Sequence, residues 1–397
     1  MLTAANDASG AVNTSNPMSS PSCSFSKMGI SLQDDDWAVP SFTKKLIKEE
    51  PLLKPNPKRF VLFPIQYHQI WQAYKSSEAK FWSAEEVELS DDAEGWQRLP
   101  GKERTFVLQC LALLATGDGG DLVTRLSEEV QIPEARCFYG FQIMQKHVHL
   151  ELINVLLDLF QTKPEIDRDV SLSVVTELSS LSKRSAWLAT HVLESDEHFG
   201  VRIAAVAIFM NVFMSSVIAA LLHLTRPGEL RNQSTAQTPL PGLIRALAKI
   251  QRDIAQYDVF CGLINRNLVN RPSLDTIHRF TADAVSIEKQ LITELFEMFG
   301  KTLSLASRPL ELPRLHKYVQ VTADRTLTRL GLAKLYNTPI ISGLPDIDTI
   351  LKEEKDIEDH SNQMMGHGGR ANGNTAQKGS GDVGMNVRQE FTLEADF

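Results

Sequence analysis

The chain of 397 residues has few cysteines and lacks the short motifs of common nucleotide-binding and hydrolytic enzymes. Its four cysteines, Cys23, Cys110, Cys137 and Cys261, are too widely spaced for a zinc clip and too few for a disulfide framework. There is no Gly-rich phosphate loop, no Gly-x-Ser-x-Gly and no His-Glu-x-x-His. The cysteine usage predicts a reducing compartment, and we expect the protein in the cytoplasm.

Positive charge is also scarce. There are 41 Lys and Arg residues against 49 Asp and Glu, so the net charge is −8 and no global field would hold nucleic-acid phosphates. The first fifty residues contain no Arg, which argues against a basic transit peptide. The longest apolar stretch, Ile203–Leu224, contains Asn211, Ser215 and His223, so we expect a buried core helix and no membrane contact.

What is abundant is apolar sequence at helical spacing. Hydrophobic residues make up 43% of the chain and recur at intervals of three and four between about residues 50 and 344, as at Phe106, Cys110 and Leu113. Strand-like alternation does not compete with this pattern. The sequence therefore predicts an all-α fold, a large helical bundle with helices near 64–80, 102–127, 141–161, 168–195, 199–225, 242–270, 276–300 and 313–336.

The composition divides the chain into three parts. Residues 1–45 are rich in Ser, Asn and Pro and are predicted to be a disordered tail, 46–345 form the bundle, and 346–397 form a flexible tail. The last seven residues have aromatic ends, a central Leu and two acids, which is typical of a short anchor for a basic-rimmed groove, although a frayed end is the alternative. These candidate partner-binding residues are Phe391, Thr392, Leu393, Glu394, Ala395, Asp396 and Phe397.

An apolar bundle can hold carboxylate-bridged metals, which requires Glu-x-x-His pairs on inward helix faces. None of the ten histidines has a Glu three positions before it. Asp275 and His278 have this spacing, but a surface pair is the better interpretation. Glu194, Glu197 and His198 fit a solvated helix end. The pattern alone therefore predicts no intact dinuclear site of this type.

Several continuous stretches are distinctive: Glu50-Pro-Leu-Leu, Arg59-Phe-Val-Leu-Phe-Pro, Phe81-Trp-Ser-Ala-Glu-Glu-Val and Glu134-Ala-Arg-Cys-Phe-Tyr-Gly-Phe-Gln-Ile. With the final heptapeptide, they strongly resemble the small subunit of class I ribonucleotide reductase over most of residues 45–345. In that family a ferritin-like bundle holds two irons between four carboxylates and two histidines, and a nearby Tyr forms a radical that serves the large subunit. The resemblance therefore implies a ferritin-like bundle.

The resemblance also places the family's ligand positions on this chain, and most of them differ. The first Asp and the first His are retained as Asp118 and His149. The other four positions carry Lys146, Met210, Ile254 and Tyr257, and the radical Tyr is replaced by Ile153. The expectation is therefore that no cofactor binds, that metal ligands and catalytic residues are absent, and that only remnant positions persist.

These replacements have a physical logic. Four buried carboxylates without a metal would each cost several kcal/mol. We hypothesise that Lys146 lies near Asp118 and supplies the missing positive charge, that Met210 and Ile254 fill the space of the irons, and that Tyr257 packs in the core with one hydrogen bond.

The resemblance further implies that Trp82, Asp253 and His149 retain the family's hydrogen-bonded relay. The Tyr that continues this relay in the tail corresponds to His360, so radical transfer is doubtful. We therefore expect a non-catalytic or accessory small subunit that pairs with the large subunit through the final peptide, and with an active small subunit as a heterodimer or with itself as a homodimer. The alternatives are an active subunit with a rebuilt metal site and an inhibitor that occupies the large subunit's groove.

Overall fold

The computed structural model describes residues 50–344, with gaps at 60, 117–119, 162–172, 174, 226–238, 300–302, 306–307 and 342–343. All of these lie within one unit, Pro40–Phe397, and a second unit, Met1–Val39, lies outside them. The two tails predicted at 1–45 and 346–397 also lie outside the described residues. Those tails therefore stay predictions.

Helices dominate the part of the chain that the structure describes. In chain order they are α1 (His68–Glu78), α2 (Asp92–Arg98), α3 (Gly101–Ala115), α4 (Gly120–Glu129), α5 (Pro133–Phe160), α6 (Ser179–Leu188), α7 (Phe199–Val212), α8 (Ser215–Thr225), α9 (Pro241–Asn267), α10 (Leu274–Phe299) and α11 (Leu312–Arg329). Short 3₁₀ turns occupy Pro51–Leu53 and Ala84–Glu86, and a π-helical turn, Ala189–Leu193, follows α6. Strands β1 (Leu303–Leu305) and β2 (Arg308–Leu310) form an antiparallel pair before α11.

The all-α prediction is confirmed, with local corrections. The single helix predicted over 102–127 is two helices, α3 and α4, and the one predicted over 199–225 is divided into α7 and α8. Helix α2 and the small hairpin were not predicted. Both are short, with seven residues in α2 and three in each strand, so neither contains enough residues to establish a period.

Helix α7 lies at the centre of the bundle. All fourteen of its residues are buried, and it packs against α9, α10 and α11. Its small side chains, such as Ala204, Ala205 and Ala207, let neighbouring helices approach closely. A helix that is apolar on every side needs neighbours on every side, which is the arrangement found here. Helix α5 packs against α1, α3, α4 and α9 and forms a second layer.

The break between α7 and α8 is held by a buried carboxylate on another helix. Met214 has φ of 64°, in the left-handed region, and its N–H donates to Oε2 of Glu288 at 3.0 Å. The N–H of Ser216 donates to Oε1 of Glu288 at 3.0 Å, and the Ser216 hydroxyl donates to the same atom. Glu288 therefore satisfies the first amides of α8, which the break removes from the helical hydrogen-bond ladder.

The stretch Phe199–Leu224 is long and apolar enough for a membrane span, and it is the one such helical stretch among the described residues. Its most apolar window is entirely buried inside the protein fold. Composition alone cannot distinguish a membrane-spanning helix from a buried core helix, but the helices that surround this stretch do. The structure thus places this stretch in the core, as the sequence predicted.

Candidate functional site

Three of the sequence-predicted residues meet in one hydrogen-bonded chain between α5 and α9. Trp82 Nε1 donates to Oδ2 of Asp253 at 2.9 Å, and His149 Nε2 lies 2.9 Å from the same oxygen. The indole and imidazole rings stack, with centroids 5.7 Å apart and planes 20° apart. Asp253 is only 5% exposed, and both donors meet its Oδ2, while its Oδ1 lies 3.6 Å from Nε of Arg252.

The same contact assigns the histidine's protons. A carboxylate oxygen accepts hydrogen bonds, so Nε2 of His149 carries the proton and Nδ1 keeps a lone pair. Burial lowers the pKa of His149 below its usual value, and the hydrogen bond that its Nε2 donates to Asp253 only partly opposes this, while the nearby Lys146 charge adds to the lowering. The imidazole is therefore neutral at pH 7, with Nδ1 available as an acceptor or ligand atom.

A cavity of about 270 Å³ lies beside this chain. It lies between two apolar clusters, since Leu247 and Ile250 belong to one and Phe209 and Phe213 to the other. Five sequence-predicted positions line it, which the structure thus brings together from α5, α7 and α9: Lys146, His149, Ile153, Met210 and Ile254. Met210 and Ile254 both line this space, and the hypothesis that they take up the room of the irons stays a prediction.

Other polar groups reach the cavity. Asn211 lines it and donates from Nδ2 to the carbonyl of Ala207 at 2.9 Å, which keeps its oxygen as an acceptor. Gln251 lines it and is only 8% exposed. The cavity is therefore an apolar space with a few convergent polar groups, which is the usual character of a small-molecule site.

The donor set of the described lining does not fit a dinuclear metal centre. Such a centre requires several carboxylates in addition to imidazole. The described part of the lining contains His147 and His149 but no Asp or Glu. Across the same described residues there is no group of three or more His, Cys, Asp or Glu side chains that could hold a metal.

Some residues to which the sequence assigned a role lie outside the part of the chain that the structure describes. Asp118 falls in the gap at 117–119, and His360 and Phe391–Phe397 fall beyond residue 344. The pairing of Lys146 with Asp118 therefore stays a prediction.

Tyr257 does not line the cavity and packs in an aromatic layer. Its ring stacks with Phe138 and Phe260, at centroid distances of 6.4 Å in both cases, and the residue is 2% exposed. Burial raises the pKa of the phenol well above its usual value. This position fits the packing role expected for Tyr257, and the Cys261 thiol and the Gln142 amide lie within hydrogen-bonding reach of its hydroxyl.

The sequence interpretation missed a buried ion pair that joins two of the distinctive stretches. Arg59 donates from Nη1 and Nη2 to Glu134 at 2.9 and 2.6 Å, and the N–H groups of Gln66 and Tyr67 donate to Oε1 of Glu134 at 2.8 and 3.1 Å. Glu134 is fully buried at the first turn of α5. The sequence did contain a clue to this pair, because Arg59 and Glu134 each begin one of the distinctive stretches quoted above.

Comparison with known proteins adds to this geometry. Residues 59–342 match the family "Ribonucleotide reductase, small chain". The chain is 34% identical over 329 residues to ribonucleoside-diphosphate reductase subunit M2 of Danio rerio, covering 82% of this chain and 80% of the relative. It is similar to the ribonucleotide reductase Rnr4 homodimer of Saccharomyces cerevisiae, with a TM-score of 0.64, 29% identity, and coverage of 81% of this chain and 95% of that one.

A third likeness concerns the fold alone and corrects one expectation. Dimanganese(II)-NrdF of Streptococcus sanguinis has a TM-score of 0.56 at 16% identity, covering 72% of this chain and 96% of that one. The expectation that no cofactor binds is contradicted, because the chain matches the ribonucleotide reductase small-chain family and a solved protein of the same fold is a dimanganese(II) protein. Counting ligands at six positions could not exclude a metal, since oxygen donors can also come from residues outside those positions.

The fold, the relay geometry and the comparisons agree. The ferritin-like bundle inferred from the resemblance is confirmed by the solved relatives of similar fold. The match extends over 59–342, which includes every helix described above. The chain therefore belongs to the ribonucleotide reductase small-chain family.

Proposed function

We propose that this chain is an accessory small subunit of ribonucleotide reductase, which supports an active small subunit and does not itself generate the oxidising equivalent. As a family member it acts in deoxyribonucleotide synthesis. The accessory role is the specific part of the proposal, and it depends on the chemistry of the central cavity.

One observation carries the proposal. Lys146, Met210 and Ile254, which the resemblance places at carboxylate positions, line one cavity with His149, and the described lining contributes no carboxylate. A cation and two apolar side chains are poor substitutes for oxygen ligands. These residues therefore favour a structural role, and not a catalytic one, for the centre of this bundle.

Ile153 supports the same conclusion. It lines the cavity, is 4% exposed, and occupies the position at which the resemblance places the radical Tyr. An aliphatic side chain has neither a phenol to oxidise nor a proton to release. The Trp82, Asp253 and His149 chain can still stabilise the bundle, because it joins α5, α9 and the segment before α2.

The proposed partners follow from the family. The Saccharomyces cerevisiae relative is described as a homodimer, and a symmetric interface of that kind can accept a related protomer. We place the large-subunit contact in Phe391–Phe397, whose aromatic ends and acids suit a basic-rimmed groove. The proposed location is the cytoplasm.

Reconstitution tests this proposal. The purified full-length chain is loaded with Fe(II) or Mn(II) in air and assayed for deoxyribonucleotide formation with the large subunit, alone and with a substoichiometric active small subunit. The accessory role predicts background activity for the chain alone and increased activity per active subunit in the mixture. High activity of the chain alone would show an active subunit, and a fall in the mixture would show an inhibitor; either result would refute the proposal.

A truncated chain is the matched control. Removal of residues 391–397 leaves every described helix unchanged in sequence, so folding and pairing with the active small subunit should persist. Binding to the large subunit by a dimer of truncated chains should be lost. Unchanged binding would mean that the large-subunit contact lies elsewhere.

A further inference from the structure

Three cations on one face of α9 contact the segment between α1 and α2, which carries Trp82. Arg245, Lys249 and Arg252 are spaced by four and three residues, so their side chains lie on the same side of the helix. Arg245 and Arg252 donate hydrogen bonds to backbone carbonyl oxygens of that segment. Lys249, between them, places its Nζ 5.6 Å from the centroid of the Trp82 ring. This arrangement holds one positive charge over an indole.

The surroundings of Trp82 make that charge effective. The indole is 2% exposed, so water screens the ring only weakly. Its Nε1–H donates to Oδ2 of Asp253 at 2.9 Å, and Oδ1 of the same carboxylate lies 3.6 Å from Nε of Arg252. Arg252 therefore offsets the negative charge of Asp253. Among these groups, the charge of Lys249 is left to act on the ring.

Loss of one electron from Trp82 would add a positive charge to this site. The electron goes to an external one-electron oxidant, and the Nε1 proton crosses the hydrogen bond to Oδ2 of Asp253. A neutral indole and a carboxylate become a neutral indolyl radical and a carboxylic acid, so the net charge of the site rises by one unit. A fixed cation beside the ring opposes that change.

We propose that Lys249 protects Trp82 from one-electron oxidation and keeps this indole a structural hydrogen-bond donor. Two unit charges 5.6 Å apart change an equilibrium constant about threefold in water and about 150-fold at a dielectric constant of about 20. Lys249 is half-buried, so we expect an effect of about tenfold. The inference goes beyond the accessory role, because it concerns Trp82 whatever the centre of the bundle contains.

Competition between two tryptophans of the full-length chain tests the inference. The azidyl radical is a small, neutral oxidant that takes one electron from an indole and leaves as azide. Trp96 serves as the internal reference, because it is 3% exposed and stacks on the uncharged ring of Phe160. Peptide mass spectrometry after brief exposure gives the ratio of oxidised Trp82 to oxidised Trp96. This ratio cancels differences in radical dose between samples.

Variants of Lys249 isolate its charge. Lys249→Met keeps the length of the side chain and removes the charge, so the oxidation ratio should rise about tenfold. Lys249→Arg keeps the charge and should retain the ratio of the unmodified chain. Lys183→Met, at an exposed position on α6, is the matched control and should also leave the ratio unchanged.

Two results would overturn the inference. An unchanged ratio in Lys249→Met would show that the charge does not act on the ring, and an equal rise in Lys249→Arg would assign the effect to packing. Lys249→Gln decides the matter if the thermal midpoint shows that Lys249→Met does not fold, and its ratio should also rise. Reconstitution of enzyme activity is a separate readout, so failure of the accessory role leaves this result unaffected.

Discussion

Trp82 and Asp253 are joined by a hydrogen bond of 2.9 Å inside the bundle, although 171 residues separate them in the sequence. The same carboxylate oxygen is in contact with His149, so one acid satisfies two buried rings. A carboxylate that serves two donors is costly to remove, because both donors are then left without an acceptor.

Replacing this carboxylate should destabilise the fold. We expect Asp253→Leu to lower the free energy of unfolding by about 2–4 kcal/mol, and Asp253→Asn to lower it less, since its amide oxygen can still accept. Urea unfolding followed by tryptophan fluorescence measures both. Asp196→Leu, at an exposed position, is the control. A loss in Asp253→Leu no larger than in the control would contradict the structural role of this chain.

The Glu134 ion pair should give acid-sensitive stability. Burial acts to raise the pKa of Glu134, but the Arg59 guanidinium and the N–H groups of Gln66 and Tyr67 outweigh it and hold the pKa at about 2. A carboxyl whose folded pKa is depressed stabilises the fold above its unfolded pKa, and that contribution is lost as pH falls toward 2.

Glu134→Gln should therefore cost about 3 kcal/mol at pH 7, and the difference from the unmodified chain should shrink between pH 5 and 2. Chemical denaturation at several pH values measures this difference. Glu128→Gln, at an exposed position outside the pair, is the control. A constant difference across this range would mean that Glu134 is not ionised in the folded protein.

Asp258 should make the stability of the fold depend on pH in the opposite direction from Glu134. Burial raises its pKa to about 7, while Arg329, whose Nη1 lies 3.0 Å from Oδ2, lowers it only in part. A raised acid pKa means that the folded state holds the proton more tightly than the unfolded state. Its contribution to stability is therefore greatest at low pH and declines as pH rises through 7.

Asp258→Asn mimics the protonated acid and removes this decline. Between pH 5 and 8, the unmodified chain should lose about 2–3 kcal/mol relative to the variant, most of it below pH 7. Unfolding curves at pH 5, 6, 7 and 8 would measure the relative slope. Parallel stability profiles for the two proteins would show that Asp258 is ionised throughout this range.

The helix break depends on Glu288. Glu288→Leu removes the acceptor of three donors on Met214 and Ser216, so we expect a loss of about 3 kcal/mol or more. Hydrogen exchange at the amides of residues 214 and 216 should accelerate. Glu297→Leu is the matched control, because it lies on the same helix at an exposed position. Equal exchange in both variants would mean that the break is maintained without the carboxylate.

The sequence could predict features that depend on local periodicity. The long helices α5, α9 and α10 follow from their apolar spacing, while the break after Val212 could not be predicted, because neither Gly nor Pro lies between Val212 and Ser215. Its determinant, Glu288, lies on a different helix. A clue was present, since Glu288 lies on the apolar face of α10 with Val285 and Leu291.

The candidate site was predictable in its residues but not in its shape. Only the resemblance brought Lys146, Met210 and Ile254 together, because periodicity within single helices does not fix which faces of α5, α7 and α9 meet. That they leave a cavity depends on how three helices and the break between α7 and α8 pack. Such packing is a tertiary property that no single stretch of sequence contains.

The Glu288 contact also affects how the chain must be synthesised. The acceptor for Met214 lies 74 residues further along the chain, so at 5–20 residues per second it follows roughly 4–15 s later on the ribosome. During that interval the most apolar segment of the protein has left the ribosome without the helix that covers it and caps its second half. Nascent chains at this stage are therefore where chaperones should bind, and where weakened variants of α10 should be lost to aggregation.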